Sequence, residues 1–334
     1  MTLDRAGLVE AARQSIARGS KSFGLASTLF DRPTRERAWL LYAWCRACDD
    51  LADGQEMGHG MRIVADPAAR LALIRDRTAL ALAGKPSGEP AFDGFGVVAR
   101  ECAIPTKLAD DLIAGSALDA EGWRPRSEND LYLYCYHVAG AVGVMMALVM
   151  GVSPDDEATL DRACDLGIAF QLANIARDIC EDDAAERCYL PIDWLVEMDI
   201  PAGEHVKPAY RHRLALLTQR LAKHAAAYEA SARAGTAALP FRAAWAVLAA
   251  AGIYGDIARK VAEAGDRAWD HRVTTSKAAK IGWVGRAFFR ALARRGAGER
   301  SAELWTRACH AGHVPASTGR QTPRHPVDPG TSPG

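Results

Sequence analysis

The chain has 334 residues, enough for one large domain or two ordinary ones. Hydrophobic residues make up 49% and charged residues 25%, with 41 basic against 41 acidic side chains. The hydrophobic share allows a sizeable core, and the charge balance removes any general pull toward nucleic acid.

In chain order, the pattern is helical. Met1 to Arg18 is mixed and amphipathic and lacks the apolar run of a signal peptide. Apolar residues at helical spacing predict helices over 4–18, 34–53, 67–84, 91–103, 106–118, 127–151, 156–183, 208–235, 240–265 and 274–295. No stretch shows the alternation of β-branched and polar residues that marks a strand. Asp31-Arg32-Pro33-Thr34 is a stop-and-start signal, and Ser153 is a predicted N-cap with Pro154 at the first helical position. Leu190-Pro191 and Lys207-Pro208 mark two further boundaries. Val138 to Val152 is the longest uncharged apolar run. It falls short of the roughly twenty residues a membrane span needs, which predicts a buried core helix. No Gly-rich linker divides the body, so a single all-α domain is expected over 1–300. The tail at 311–334, rich in Pro, Gly, Ser and Thr, has little to bury and is predicted to be disordered.

Eight cysteines are scattered along the chain, and only Cys45 and Cys48 form a C-x-x-C. No second pair completes a zinc site, so these read as packing cysteines in a reducing cytoplasm.

Two helices carry acidic stripes. At about 100° per residue, Tyr42, Arg46, Asp49 and Asp53 fall within an arc of roughly 60°. Most of the remaining circumference is Leu, Ala, Trp and Cys. Gln171, Asn174, Asp178 and Asp182 share an arc of roughly 80° on a second, otherwise apolar helix. A solvated helix normally has a broad polar face. Carboxylates on a buried face are costly unless paired or metal-bound, and two at i and i+4 lie about 6 Å apart and repel. A cation is the natural remedy, and all-oxygen ligands select magnesium, with manganese as the alternative, over zinc. Ordinary surface acids at two helix ends would account for either stripe alone. Two such stripes, with Arg46 beside one and Arg177 beside the other, point to a site that binds metal and phosphate together.

These residues resemble the squalene and phytoene synthase family. The likeness is carried by Ser20-Lys21-Ser22-Phe23, Leu41 through Asp53, Tyr134 through Gly140 with Gly143, Gln171 through Asp182, and Arg187-Cys188-Tyr189-Leu190-Pro191. It spans roughly residues 10 to 290 on the helical pattern. The resemblance implies an all-α isoprenoid-synthase fold around a central cavity, with the two acidic helices facing each other across its mouth. It implies magnesium held by Asp49, Asp53, Asn174, Asp178 and Asp182, bridging to prenyl diphosphate substrates. Ser20, Lys21, Tyr42, Arg46, Arg177, Tyr189 and Arg272 would hold diphosphate, although Arg272 could equally cap a helix start. Phe23, Gln171 and Tyr254 would line the cavity near the reacting carbons. Tyr134 would position or relay a proton, with the departed diphosphate as the alternative base.

The implied reaction is head-to-head coupling of two geranylgeranyl diphosphates to phytoene. Fifteen-carbon relatives make dehydrosqualene, presqualene diphosphate or squalene instead. Small residues at Ala26 and Ser27, one turn beyond Phe23, would leave room for the longer tail. No NADPH is expected. A non-catalytic relative and a terpene cyclase are the competing classes, but both aspartate motifs are intact and a cyclase leaves the Tyr134 block unexplained. A monomer is favoured. The lipophilic substrate suggests peripheral contact with the inner membrane, with Arg286, Arg290, Arg294 and Arg295 as candidates against a plain solvated helix end.

Overall fold

The computed structural model describes residues 3–19, 21–54, 66–294 and 298–307. Among them every regular element is helical and no strand occurs. The expected disordered tail at 311–334 and Arg295 lie outside the described residues.

The α-helices are α1 (Arg5–Gly19), α2 (Lys21–Ser27), α3 (Arg32–Asp53), α4 (Pro67–Leu82), α5 (Pro90–Glu101), α6 (Thr106–Ala120), α7 (Glu128–Cys135), α8 (Ala141–Val149), α9 (Glu157–Ala184), α10 (Ile192–Glu197), α11 (Arg211–Gly235), α12 (Phe241–Ala264) and α13 (Lys277–Leu292). A π-helical turn, Tyr136–Gly140, joins α7 to α8. The short α2 and α10 were not expected, because seven and six residues are too few to show a helical period.

Local chemistry sets the long helices. Asp31 caps α3 by accepting from Thr34 N at 3.0 Å, with Pro33 in the first turn, and Gly54 ends it in the left-handed conformation. The predicted cap of α9 moves. Asp156, not Ser153, accepts from Thr159 N at 3.1 Å, and Ser153 to Asp156 form a turn closed by Asp156 N to Ser153 O. Likewise α13 begins at Lys277 rather than 274, because Ser276 accepts from Ala279 N.

The apolar stretch expected to be buried is indeed interior. Glu128–Val149 is long and apolar enough to cross a membrane by length and composition, yet 61% of its most apolar window is buried within the protein. It packs antiparallel on α9 through glycines. A Cβ on Gly143 would lie 2.3 Å from Ala163 O, and one on Gly167 would lie 2.2 Å from Ala139 O. Only hydrogen at these positions lets the two backbones approach so closely. The core continues through Trp44, fully buried and stacked on Phe95 at 3.8 Å.

The described chain ends in a strap, 298–307, laid across α9 and α11. Arg300 pairs with Asp165 at 2.6 Å, and Arg307 pairs with Glu157 and Asp161. Trp305 N donates to Tyr228 Oη at 3.1 Å.

Candidate active site

Helices α1, α2, α3, α8, α9, α11 and α12, with the π-helical turn, contribute residues to the wall of a cavity of about 420 Å3. Helix α9 lines it with Thr159, Arg162, Ala163, Leu166, Gly167, Phe170, Gln171 and Asn174, which recur at helical spacing on one face. From Arg162 to Asn174 is about 18 Å at 1.5 Å per residue, so the cavity is a tunnel running along α9. Apart from Thr159, Arg162 and Thr236, its polar side chains gather at one end. Tyr42, Arg46 and Asp49 from α3 meet Gln171 and Asn174 from α9 and Tyr254 from α12. Away from them the wall is apolar, built by residues such as Val138, Val142, Met146 and Val247. The far end is closed by Arg162, Gly235, Thr236 and Leu239.

Arg162 closes that end with its hydrocarbon stem, because its guanidinium is turned away to the carbonyls of Ser231 and Gly298. The side chain is buried, and Gly235 packs directly on its Cβ. The strap thus holds the residue that ends the tunnel.

At the polar end, Tyr42 stacks on Phe23 with ring centroids 5.3 Å apart. Burial pushes the Tyr42 hydroxyl above its ordinary range. Tyr42 Oη and Arg46 Nε are both buried and lack a hydrogen-bond partner in the protein. They lie side by side, close enough for the guanidinium to affect the hydroxyl, but without hydrogen-bond geometry. Two unsatisfied buried donors on a cavity wall suit an anionic ligand. Arg46 Nη1 lies 3.6 Å from Asp49 Oδ2 and 4.0 Å from Asp50 Oδ1. Tyr254 stacks on Phe170 at 4.2 Å and feels the charges of both Arg46 and Arg177. It therefore lies where the two acidic helices approach each other.

Beyond the cavity wall, α9 continues into its acidic end. Arg177 binds the Asp178 carboxylate through two nitrogens, with Nε at 2.7 Å. Arg272 Nη2 lies 2.9 Å from Asp178 Oδ1, and its Nη1 lies 2.9 Å from Glu181 Oε1. Ser276 caps α13, so Arg272 does not cap a helix and its guanidinium joins the acidic motif. Burial and the charge of Asp178 push the Asp182 carboxyl up to about 7.

Tyr134 and Tyr189 do not line the cavity. Their rings stack at 4.7 Å, and both hydroxyls donate to Asp119 on α6. Trp123 also stacks on Tyr134, with ring centroids 5.8 Å apart. Asp119 in turn helps raise the Asp182 carboxyl, which links the tyrosine pair to the acidic end of α9. Sequence reasoning missed Asp119, since it sits in Ser116-Ala117-Leu118-Asp119 with no acidic periodicity around it.

The remaining expected residues are placed only in part. Ser20 lies outside the described residues, as do the side chains of Lys21 and Asp53, although their backbones belong to α2 and α3. Ala26 lines the cavity, whereas Ser27 does not. Ser27 is fully buried, donates to Gly24 O at 2.8 Å and accepts from Trp39 Nε1 at 2.9 Å, so its size makes no room in the tunnel.

The donor set fits a hard cation. Among the described residues no three His, Cys, Asp or Glu side chains converge on one point. The available oxygens are few carboxylates and the amides of Gln171 and Asn174, which magnesium supplements with water and substrate phosphate. The crowding that raises Asp182 is what a divalent cation would relieve.

Residues 16–279 match the squalene/phytoene synthase family model. The chain belongs to the squalene/phytoene synthase family. The 15-cis-phytoene synthase of Pantoea ananas is 44% identical over 309 residues, covering 91% of this chain and 99% of that protein. The phytoene synthase of Pseudescherichia vulneris is 46% identical over 276 residues, covering 82% and 89%. A crystal structure of a dehydrosqualene synthase with bound ligand is similar in fold, with a TM-score of 0.77 at 24% identity over 86% of this chain and 98% of that one. The family fold is the all-α isoprenoid-synthase architecture expected from the sequence.

Proposed function

We propose that this family member is a phytoene synthase, which couples two geranylgeranyl diphosphates head to head through a cyclopropyl diphosphate to phytoene, for carotenoid biosynthesis. Two diphosphates and two protons are released per phytoene formed. The observation that carries the reading is near-full-length similarity to the Pantoea ananas enzyme. The tunnel supports it, with polar groups at one end and an apolar bore behind.

In this reading Asp49, Asp53, Asn174, Asp178 and Asp182 would hold magnesium, which would supply charge neutralisation for the departing diphosphate. Tyr42 and Arg46 offer the diphosphate their unsatisfied buried donors. Arg177 and Arg272 stand on the Asp178 carboxylate, ready to share charge with phosphate oxygens. Lys21 and Ser20 complete that set, whereas the Tyr189 hydroxyl is engaged by Asp119 outside the cavity wall. Phe23, Phe170, Val138 and Met146 keep water from the allylic cations. Tyr134, bound to Asp119 outside the cavity wall and pushed well above the usual tyrosine range by burial, acts by holding Asp119 beside the acidic end of α9 rather than by taking the proton. The route closes by proton loss rather than hydride addition, so it consumes no nicotinamide.

The seven described cysteines are all free, which suits a cytoplasmic setting, and a monomer meeting the inner membrane at its surface fits the lipophilic substrate. The test is incubation of purified protein with magnesium and either farnesyl or geranylgeranyl diphosphate, with products identified by mass. Phytoene from the twenty-carbon substrate supports the reading. Product from farnesyl diphosphate alone overturns the chain length and leaves the coupling chemistry.

A further inference from the structure

Helix α13 turns one face inward, and among the described residues nothing covers the other. Inward, Trp283 meets Gly252 of α12, where a Cβ would lie 2.4 Å from its ring. Trp245 Nε1 donates to Val284 O at 2.9 Å, and Phe288 packs edge-on against Trp245 and Phe241. Outward, Ile281 and Phe289 are each 70% exposed and Leu292 is 61% exposed. At about 100° per residue these three fall within an arc of roughly 80°. Gly285 lies within that arc with no heavy atom of another residue near its Cβ position. Large apolar side chains this open are costly to leave in water when they share one stripe.

The charge around the stripe has one sign. Between Lys277 and Arg294 there are five basic residues and no acidic one. Arg286 and Arg290 are exposed along one edge of the stripe, with Arg286 held over the Trp283 ring at 5.2 Å. Lys277 is exposed at the helix start on the other edge.

We propose that the outer face of α13 is a membrane-docking surface that lies on an anionic phospholipid bilayer. An apolar stripe flanked by arginine and lysine seats at the boundary of headgroups and acyl chains, with the cations on lipid phosphates. A second copy of the chain fits this face poorly. A two-fold contact would oppose Arg286 and Arg290 to their own copies without any acidic partner on the helix. The opposite face of α12, through Ala246, Val247, Ala250 and Tyr254, lines the tunnel. A bilayer under α13 therefore sits one helix away from the cavity. The surface argument stands without the proposed reaction, which only adds a reason for lipophilic substrates to be found there.

The test is co-sedimentation of the full chain with vesicles of phosphatidylglycerol and phosphatidylcholine, or of phosphatidylcholine alone. The protein is expected to bind the anionic vesicles and to be released by salt. The triple variant Ile281→Ser, Phe289→Ser, Leu292→Ser is expected to lose at least about tenfold in vesicle affinity. Arg286→Gln with Arg290→Gln is expected to lose the preference for anionic lipid. All altered residues are exposed, so unchanged circular dichroism, melting and turnover of detergent-dispersed substrate serve as controls. No binding of the unaltered protein to anionic vesicles overturns the proposal, as does a triple variant that binds as tightly. A concentration-dependent dimer that the triple variant abolishes, with no vesicle binding, assigns the face to a second copy and also overturns it. The vesicle measurement needs no turnover, so its failure leaves the reaction untouched.

Discussion

Tyr134 donates its hydroxyl to Asp119, with 3.1 and 3.0 Å to the two carboxylate oxygens, and Tyr189 donates to the same carboxylate at 2.8 Å. One carboxylate from α6 thus fixes two tyrosines beside the acidic end of α9. If Tyr134 acts through this position, Tyr134→Phe and Asp119→Ala should each lower kcat by about a hundredfold. The double variant should be little worse than the worse single one, because the two residues act as a unit. Rates of cyclopropane formation and of its rearrangement, measured separately, check this. Simple additivity in a double-mutant cycle would sink the idea.

Asp178 is held by Arg177 and Arg272 together, so its charge organises the acidic end of α9. Asp178→Ala should reduce turnover by about a thousandfold or more. It should also abolish the magnesium dependence of diphosphate binding in calorimetry. An Asp178→Ala protein that still binds diphosphate only with magnesium would remove this residue from the metal set.

Arg162 ends the tunnel with its stem, while its guanidinium is committed to Ser231 O and Gly298 O. Arg162→Ala should deepen the tunnel and let a twenty-five-carbon prenyl diphosphate compete, about tenfold better than it does with the unaltered protein. Arg162→Met keeps an unbranched stem and should keep the original discrimination, while melting lower for loss of the strap contacts. Competition assays with product masses distinguish the two. Unchanged discrimination in Arg162→Ala would place the chain-length stop elsewhere.

Gly167→Ala should destabilise the protein by about 2–3 kcal/mol, since its Cβ would meet Ala139 backbone rather than a side chain that can move. Gly143→Ala should behave alike against Ala163 O. Chemical denaturation checks both. Gly285→Ala, with open space around it, should be neutral or slightly stabilising as a helix change.

His137 is half-buried with Nδ1 2.9 Å from Asp111 O, and burial lowers its affinity for a proton below the ordinary histidine range. A histidine depressed in the folded state leaves the unfolded chain holding more protons, so its contribution is present above the unfolded value of about 6.5 and is lost as pH falls below it. The carboxyl of Asp182, raised to about 7, acts in the opposite sense across the same range. The clean readout is therefore a difference. The loss in Tm on His137→Gln should be larger at pH 7.5 than at pH 5.5.

Much of the molecule is legible in the amino-acid sequence. Helical spacing located the long helices within a few residues, and Asp31 caps α3 as its side chain predicts. The two acidic stripes were legible too, because a helix projects i, i+4 and i+7 onto one face whatever packs against it. Tyr42, Arg46 and Asp49 on α3 and Gln171 and Asn174 on α9 accordingly face one cavity. What only the tertiary structure decided lies between elements far apart in sequence. Asp119 and Tyr189 are separated by 70 residues, and Arg272 and Glu181 by 91, so no local period connects either pair. The tunnel's depth depends on Arg162 meeting Gly298 across 136 residues. Ser27 and Ala26 are both small, yet only a helix's orientation against its neighbours turned Ala26 toward the tunnel and Ser27 toward Trp39. Local periodicity encodes which side chains share a face. Which face meets which is settled by close packing of the whole chain, where glycines such as Gly143 and Gly167 let particular backbones touch.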